Sequence, residues 1–146
     1  MKVEVKLDPA LTEPKVVIHA PARTAEVEAL AERLSAGEEL LPGLREDGTA
    51  VLLRPEDILR FYGEDKAVLA QTTAGTWRVD ARLYELEQRL AGRKFVRISH
   101  SEIVNLRQVT GLDLKLTGTI RMTLTGSVTT YVSRRYVKKI MEVLGL

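Results

Sequence analysis

The sequence predicts a mostly β, α+β fold in which an antiparallel meander carries short helices and is preceded by a small strand-strand-helix segment. Three observations predict it. Short apolar stretches of strand length recur from residue 50 to residue 132, with turn residues between them. Only three stretches have the 3.6-residue apolar spacing of a helix. The first 46 residues end on a stretch rich in turn signals, beyond which the pattern is mostly that of strands.

Taken in order, "KVEVKL" and "KVVIHA" alternate at period two and read as strands, with Pro9 and Pro14 bracketing their link. Thr24 suits the N-cap of a helix whose Val27, Leu30, Ala31 and Leu34 share one face. Glu26 and Glu28 fit its first turn and Gly37 its end. "LLPGLREDGT" reads as a linker, with turn signals at Pro42-Gly43 and Asp47-Gly48. This places a domain boundary near residue 46, dividing the chain into 1–46 and 47–146. "AVLLR", "DILRFY", "AVLAQTT" and "TWRV" come next as strands, and Asp80 suits the cap of a helix burying Leu83, Leu86 and Leu90. Then come "FVRIS", "EIVNL", "VTGLDLKLT", "TIRMTLT" and "VTTYV", with tight turns at Gly118 and Gly126. The last stretch, "SRRYVKKIMEVLGL", reads as a helix capped by Ser133. Its apolar stripe is Val137, Ile140, Met141 and Leu144, with Arg134, Arg135, Lys138 and Lys139 off the stripe. Phe61 and Trp77 are expected in the core.

The composition narrows the function. A chain of 146 residues suits one domain with a small appendage. It has no cysteine, so neither a disulfide framework nor a thiolate metal site is available. Charges interrupt every apolar run before membrane-spanning length, so no membrane insertion is expected. "MKVEVKLD" lacks the apolar core of a signal peptide, and the expected location is the cytoplasm. Charge is unevenly placed. Residues 1–88 hold 11 Lys/Arg against 17 Asp/Glu, and residues 89–146 hold 11 against 3. A basic half of that kind fits a polyanionic partner.

"FVRISHSEIVNL", residues 95–106, is the most informative stretch. Its Ser-His-Ser string invites an enzymatic reading. Neighbouring residues of an extended chain point to opposite faces, however, and a Ser-His nucleophilic pair needs mutual hydrogen-bond reach and an orienting carboxylate. No nucleophile elbow, phosphate-binding glycine loop or dinucleotide fingerprint is present. His19 is the only other histidine, which leaves no multi-histidine metal site. The expectation is therefore no enzyme, no metal and no cofactor. Arg97 and His100 suit nucleic-acid contact instead, since Arg can fork onto guanine or phosphate and His can donate to either. The bland readings are an ion pair for Arg97 and a solvated loop for His100. Further cations at element ends (Arg93, Lys94, Arg107, Arg134 and Arg135) favour the contact reading.

"FVRISHSEIVNL" succeeded by "YVSRRYVKKI" resembles the LytTR-type DNA-binding domain of bacterial transcription regulators. That family shows Phe-x-Arg, a polar pair and Ser, an apolar run ending in Asn, and about thirty residues later Ser-x-Arg with a basic helix. The resemblance covers residues 48–146. It implies elongated β-β-β antiparallel sheets that put loops, not a recognition helix, into successive major grooves of double-stranded DNA. It also implies three contact regions. Lys66 is the only cation of the loop after "DILRFY". Arg97, His100 and Ser101 lie at the turn after "FVRIS". Arg135 matches the contacting Arg of "VSRRY", flanked by Arg134. Asn105 matches the motif Asn, and its place at a strand end implies a backbone-bonding role. Ser99 and Glu102 depart from the family, where His and an aromatic residue are common; Glu102 is expected to point away from DNA. The resemblance is to stand-alone members, which implies a dimerising role for the leading segment; the bland reading is that it simply caps an open sheet edge. The expected function is a sequence-specific, homodimeric DNA-binding regulator on repeated half-sites. The alternative is an interaction module whose basic face docks an acidic protein.

Overall fold

A computed structural model of the chain describes residues 1–12, 14–35 and 39–146. The first helix, α1 (Ala25–Ser35), starts where Thr24 is placed to cap it: the Thr24 hydroxyl accepts from Val27 N–H at 3.2 Å. Gly37, expected at its end, lies outside the described residues. None of α1 is buried. The stretches 2–7 and 15–20, expected as strands, form none. A strand is held by a partner ladder, and these residues have none in one copy of the chain. Most of their apolar side chains stay in solvent, Leu7 at 91% exposure and Val16 at 63%.

The stretch expected as a linker is strand β1 (Leu41–Leu44), paired in register with β2 (Ala50–Leu53). The boundary expected at residue 46 falls inside this hairpin. Pro42 and Gly43 are strand residues, not a turn. β1 meets its other neighbour only at Leu44, so no ladder bond on that side is asked of Pro42. Gly43 is there for space: a Cβ would lie 2.8 Å from Trp77 Cβ and 2.9 Å from Leu53 Cδ1. The true turn is Asp47-Gly48, with Gly48 at φ 87°. Hydrogen bonds from the Thr49 hydroxyl (2.6 Å) and backbone N–H (2.9 Å) hold the Asp47 carboxyl below its ordinary pKa.

After a 3-10 turn at Pro55–Asp57 come β3 (Arg60–Glu64), β4 (Ala67–Thr72), β5 (Gly75–Val79), α2 (Leu83–Arg89), β6 (Phe95–Ser99) and β7 (Glu102–Asn105). A second 3-10 turn, Leu106–Gln108, leads to β8 (Val109–Asp113), β9 (Ile120–Leu124), β10 (Val128–Val132) and α3 (Arg134–Leu144). The cap of α2 is Arg82 instead of Asp80, because the chain stays extended through Arg82 and the Glu85 carboxylate accepts from its N–H at 3.3 Å. Ser133 is the N-cap of α3 by position, but its hydroxyl makes no cap bond.

The ten strands among the described residues all pair antiparallel, in a seven-stranded sheet ordered β2-β1-β5-β4-β3-β7-β6 and a three-stranded sheet ordered β10-β9-β8. Alternation along the strands gives the large sheet two apolar faces. On one, Phe61, Ile103 and Phe95 pack with Leu86 and Leu90 of α2. On the other, Leu59, Ile98 and Val104 pack with Ile120, Met122, Leu124 and Val132 of the small sheet and Ile140 of α3. Phe61 is fully buried, 5.7 Å from Phe95 between ring centres, and Trp77 is half-buried. The layers are thus α2, large sheet, then small sheet with α3.

Candidate nucleic-acid interface

Three chain reversals that carry the expected contact residues adjoin one another. The β3–β4 reversal is a two-residue turn with Asp65 at φ 49° and Lys66 at φ 65°. Both central residues are left-handed, the geometry a tight right-twisted hairpin requires and glycine or asparagine usually supplies. Asp65 and Lys66 are exposed at its tip. The β6–β7 reversal lies beside it, joined by a 2.9 Å bond from Gly63 N–H to the Ser101 carbonyl. The β10–α3 junction is joined in turn by a 2.8 Å bond from Ser133 N–H to the Ile98 carbonyl.

The β6–β7 turn explains two residue types in "FVRISHSEIVNL". The register shifts between Arg97 and Ser99, and such a bulge frees carbonyls from the ladder. Arg97 reaches past the bulge to two carbonyls of the turn: its Nε donates to the Ser99 carbonyl at 2.9 Å and its Nη2 to the His100 carbonyl at 2.6 Å. Its Nη1 lies 4.0 Å from the Glu87 carboxylate. The Arg97 guanidinium therefore braces the turn from within. The Ser99 hydroxyl accepts from Ser101 N–H at 3.2 Å. His100 and Ser101 are left exposed at the tip.

At the junction, Arg134 and Arg135 are exposed in the first turn of α3, which holds no acid. Cations there oppose the helix dipole, so folding alone does not favour them. The Arg134 guanidinium lies over the Gly118 turn, where a Cβ would come within 3.1 Å of its Nε.

Other cations separate from this site. Phe95 pairs with Asn105 at the opposite end of β6 and β7 from Ser99 and Glu102. Arg93, Lys94 and Arg107 belong to that far end, so the cations read together in the sequence do not form one patch. Arg78, Arg82 and Tyr84 belong to no motif in the sequence. With Lys66, Arg97, His100 and Ser101 they line an open cleft of about 1200 Å³ beside the first two turns. The available signal was position: Arg78 ends a strand and Arg82 opens a helix. Glu102 is turned inward, as expected, with its carboxylate 2.9 Å from Arg60 Nη1. Asn105 has the expected backbone-bonding role: its Nδ2 donates to the Ile58 carbonyl at 2.9 Å and its Oδ1 accepts from Arg107 N–H at 3.0 Å. His19 is exposed and belongs to no cluster. Among the described residues no group of three or more His, Asp or Glu could hold a metal, and no helix is long and apolar enough to cross a membrane.

Residues 48–145 match the LytTr DNA-binding domain family. The chain belongs to that family. A solved LytTr DNA-binding domain, from a Bacillus cereus protein described as a putative methyl-accepting/DNA response regulator, superposes with a TM-score of 0.71 at 20% identity. It covers 75% of this chain and 100% of that one, which shows the shared fold. Three Staphylococcus aureus proteins, from strains MSSA476, MW2 and MRSA252, are each described as an uncharacterized HTH-type transcriptional regulator. Each is 34% identical over 148 residues, covering 100% of this chain and 99% of its own length. The LytTr fold of this chain does not match the helix-turn-helix in their description. Among its described residues no two helices are consecutive after α1, since strands separate α2 from α3.

Proposed function

We propose that the protein is a transcription regulator that binds duplex DNA sequence-specifically through its turns, as a homodimer on repeated half-sites, in the cytoplasm. The observation that carries this reading is the joining of the three reversals, each with exposed polar or cationic tips, by hydrogen bonds between neighbours. His100, Ser101 and Arg135 are assigned to base edges in the major groove, where a donor fork reads guanine and short polar groups read either base. Lys66 and Arg134 are assigned to phosphates, which position the protein without reading sequence. Arg97 acts from behind, holding the His100 turn in shape. The basic balance of residues 89–146 supplies the long-range attraction.

The dimer is assigned to the segment before β1. Its α1 has the apolar stripe Val27, Leu30, Ala31 and Leu34 with nothing buried, and its β-prone stretches lack a partner. A second copy would offer both. The independently folding unit is taken to begin near residue 40, since β1 belongs to the large sheet.

Selection of bound duplexes from a random library, with titration of the selected duplex at several salt concentrations, tests the function. Enrichment of one repeated motif, with affinity falling steeply as salt rises, is the expected result. Salt-sensitive binding with no preferred sequence would reduce the protein to a non-specific DNA binder. No binding to any duplex would end the proposal.

A further inference from the structure

We propose that Glu102 is a positioning residue that sets the relative placement of the three turns; the DNA part of this inference rests on the function proposed above. Its carboxylate joins the strands on which all three depend. Oε1 accepts from Arg60 Nη1 at 2.9 Å, and Oε2 accepts from the Thr130 hydroxyl. Glu102 is the first residue of β7 and comes directly after the His100–Ser101 turn. Arg60 opens β3, which runs to the Lys66 turn. Thr130 lies on β10, three residues before Ser133. Arg60 is itself held, with Nε donating to Gln71 Oε1 of β4 at 2.7 Å and its guanidinium 4.4 Å from the Tyr62 ring centre. The network therefore spans β4, β3 and β7 of one sheet and β10 of the other.

Its surroundings give the geometry weight. Glu102 and Thr130 are two of the three buried polar residues among those described. The buried hydrophobic core between the two sheets consists of aliphatic side chains and Met122. Apolar contact is non-directional and accommodates small slides. Hydrogen bonds to a carboxylate fix both distance and angle. The Ser133–Ile98 backbone bond is another pin between the sheets, and the Gln108 amide donates to the Glu56 carbonyl at 2.7 Å where the chain crosses from one sheet to the other. A single pin leaves a pivot, and further pins remove it. Apolar replacement of a buried ion pair often leaves stability unchanged or higher, so stability alone does not call for a carboxylate here. A recognition surface built from separate turns does need them held to about half an ångström.

The chain has no cysteine, so paired spin labels can be placed at Glu64→Cys and Lys139→Cys, both exposed and neither assigned to DNA. Distances by double electron–electron resonance are compared in this background and with Glu102→Leu, Thr130→Val or Thr130→Ser added. Cooperative melting establishes that each variant folds, and Thr130→Val, which keeps side-chain shape, carries the test if Glu102→Leu does not fold. The expected result is a broadened distance distribution in Glu102→Leu and Thr130→Val and the parent's narrow one in Thr130→Ser. In parallel, the preference for the library-selected duplex over a random duplex of equal length falls by roughly tenfold, the size usual for residues coupled in one network, while random-duplex affinity is kept. The double variant should be no worse than the worse single one. Narrow distributions in both disrupting variants would overturn the proposal whatever happens to DNA binding. A parent that fails to discriminate between duplexes would refute the DNA reading, and the distances would still judge Glu102.

Discussion

Asn105→Ala should unfold the protein more easily without touching its DNA contacts. Asn105 is 1% exposed. Its amide bridges two distant segments, from the Ile58 carbonyl, 47 positions away in sequence, to the Arg107 N–H. Alanine leaves both groups without that partner. Ile58 is fully buried, so its carbonyl faces the desolvation cost of an unmade bond, about 1–3 kcal/mol. Arg107 is exposed, and water can recover part of its bond, leaving about 0.5–1 kcal/mol. The sum is about 1.5–4 kcal/mol. For a domain of this size that lowers Tm by roughly 6–16 °C. Urea unfolding monitored by the fluorescence of Trp77, the single tryptophan, measures the loss, and titration with the selected duplex well below the midpoint measures binding. Asn105→Asp is the control. It keeps the acceptor for Arg107 and turns a second oxygen toward the Ile58 carbonyl. A buried carboxylate so placed has its pKa raised, so its destabilisation should ease as pH falls and the acid, now protonated, donates. Stability of Asn105→Ala within about 0.5 kcal/mol of the parent would refute the reasoning, since that is the range of changes at indifferent surface sites. Loss of DNA affinity by the folded variant would assign Asn105 to the interface instead.

The same geometry sets four further outcomes. Gly43→Ala should cost about 1–3 kcal/mol by overpacking against Trp77 Cβ, which is too near its own backbone to move; an unchanged urea midpoint would show that the hairpin shifts freely. Lys66→Gly should stabilise the β3–β4 turn by about 1 kcal/mol, since Lys66 is held at φ 65°, while making DNA binding less salt-dependent by about one counterion; an unchanged salt slope would take Lys66 off the phosphate contacts. Arg135→Ala should cost about 1–3 kcal/mol on the selected duplex and relax one position, whereas Arg134→Ala should weaken selected and random duplexes alike; equal losses for Arg135→Ala would remove it from base reading. Deleting residues 1–40 should leave a monomer in sedimentation that melts cooperatively, and deleting 1–46, which also removes β1 and buried Leu41, should broaden the transition; a dimeric 41–146 chain would move the interface out of the leading segment.

Much of the architecture was legible because local pattern and final burial agree. Alternation along β9 and β10 matches the face each residue presents to a core, while β3 and β6 were legible as short apolar stretches between turn residues. The stripe of α3 was legible for the same reason, with Ile140 at its buried centre. Errors came where one residue type serves two physical purposes. Pro42-Gly43 carries a turn signal, but Gly43 is used for the absence of a side chain under Trp77, a need created by a residue far along the chain. "KVEVKL" and "KVVIHA" have strand propensity, but propensity supplies no partner, and pairing is what makes a strand.

The sequence by itself determined the strand-rich class, the helical faces, the family motif and the identity of the exposed tip residues, because these depend on side-chain type and spacing within a few positions. Tertiary structure alone decided what those residues touch. It turned Arg97 inward onto the Ser99 and His100 carbonyls of the bulged turn, separated Arg93, Lys94 and Arg107 from the His100 turn by the length of β6, and joined Glu102 to Thr130 across two sheets. Each outcome rests on contacts between positions far apart in the chain or on a local break in register, and neither a bulge nor a contact between sheets leaves a periodic trace in the sequence.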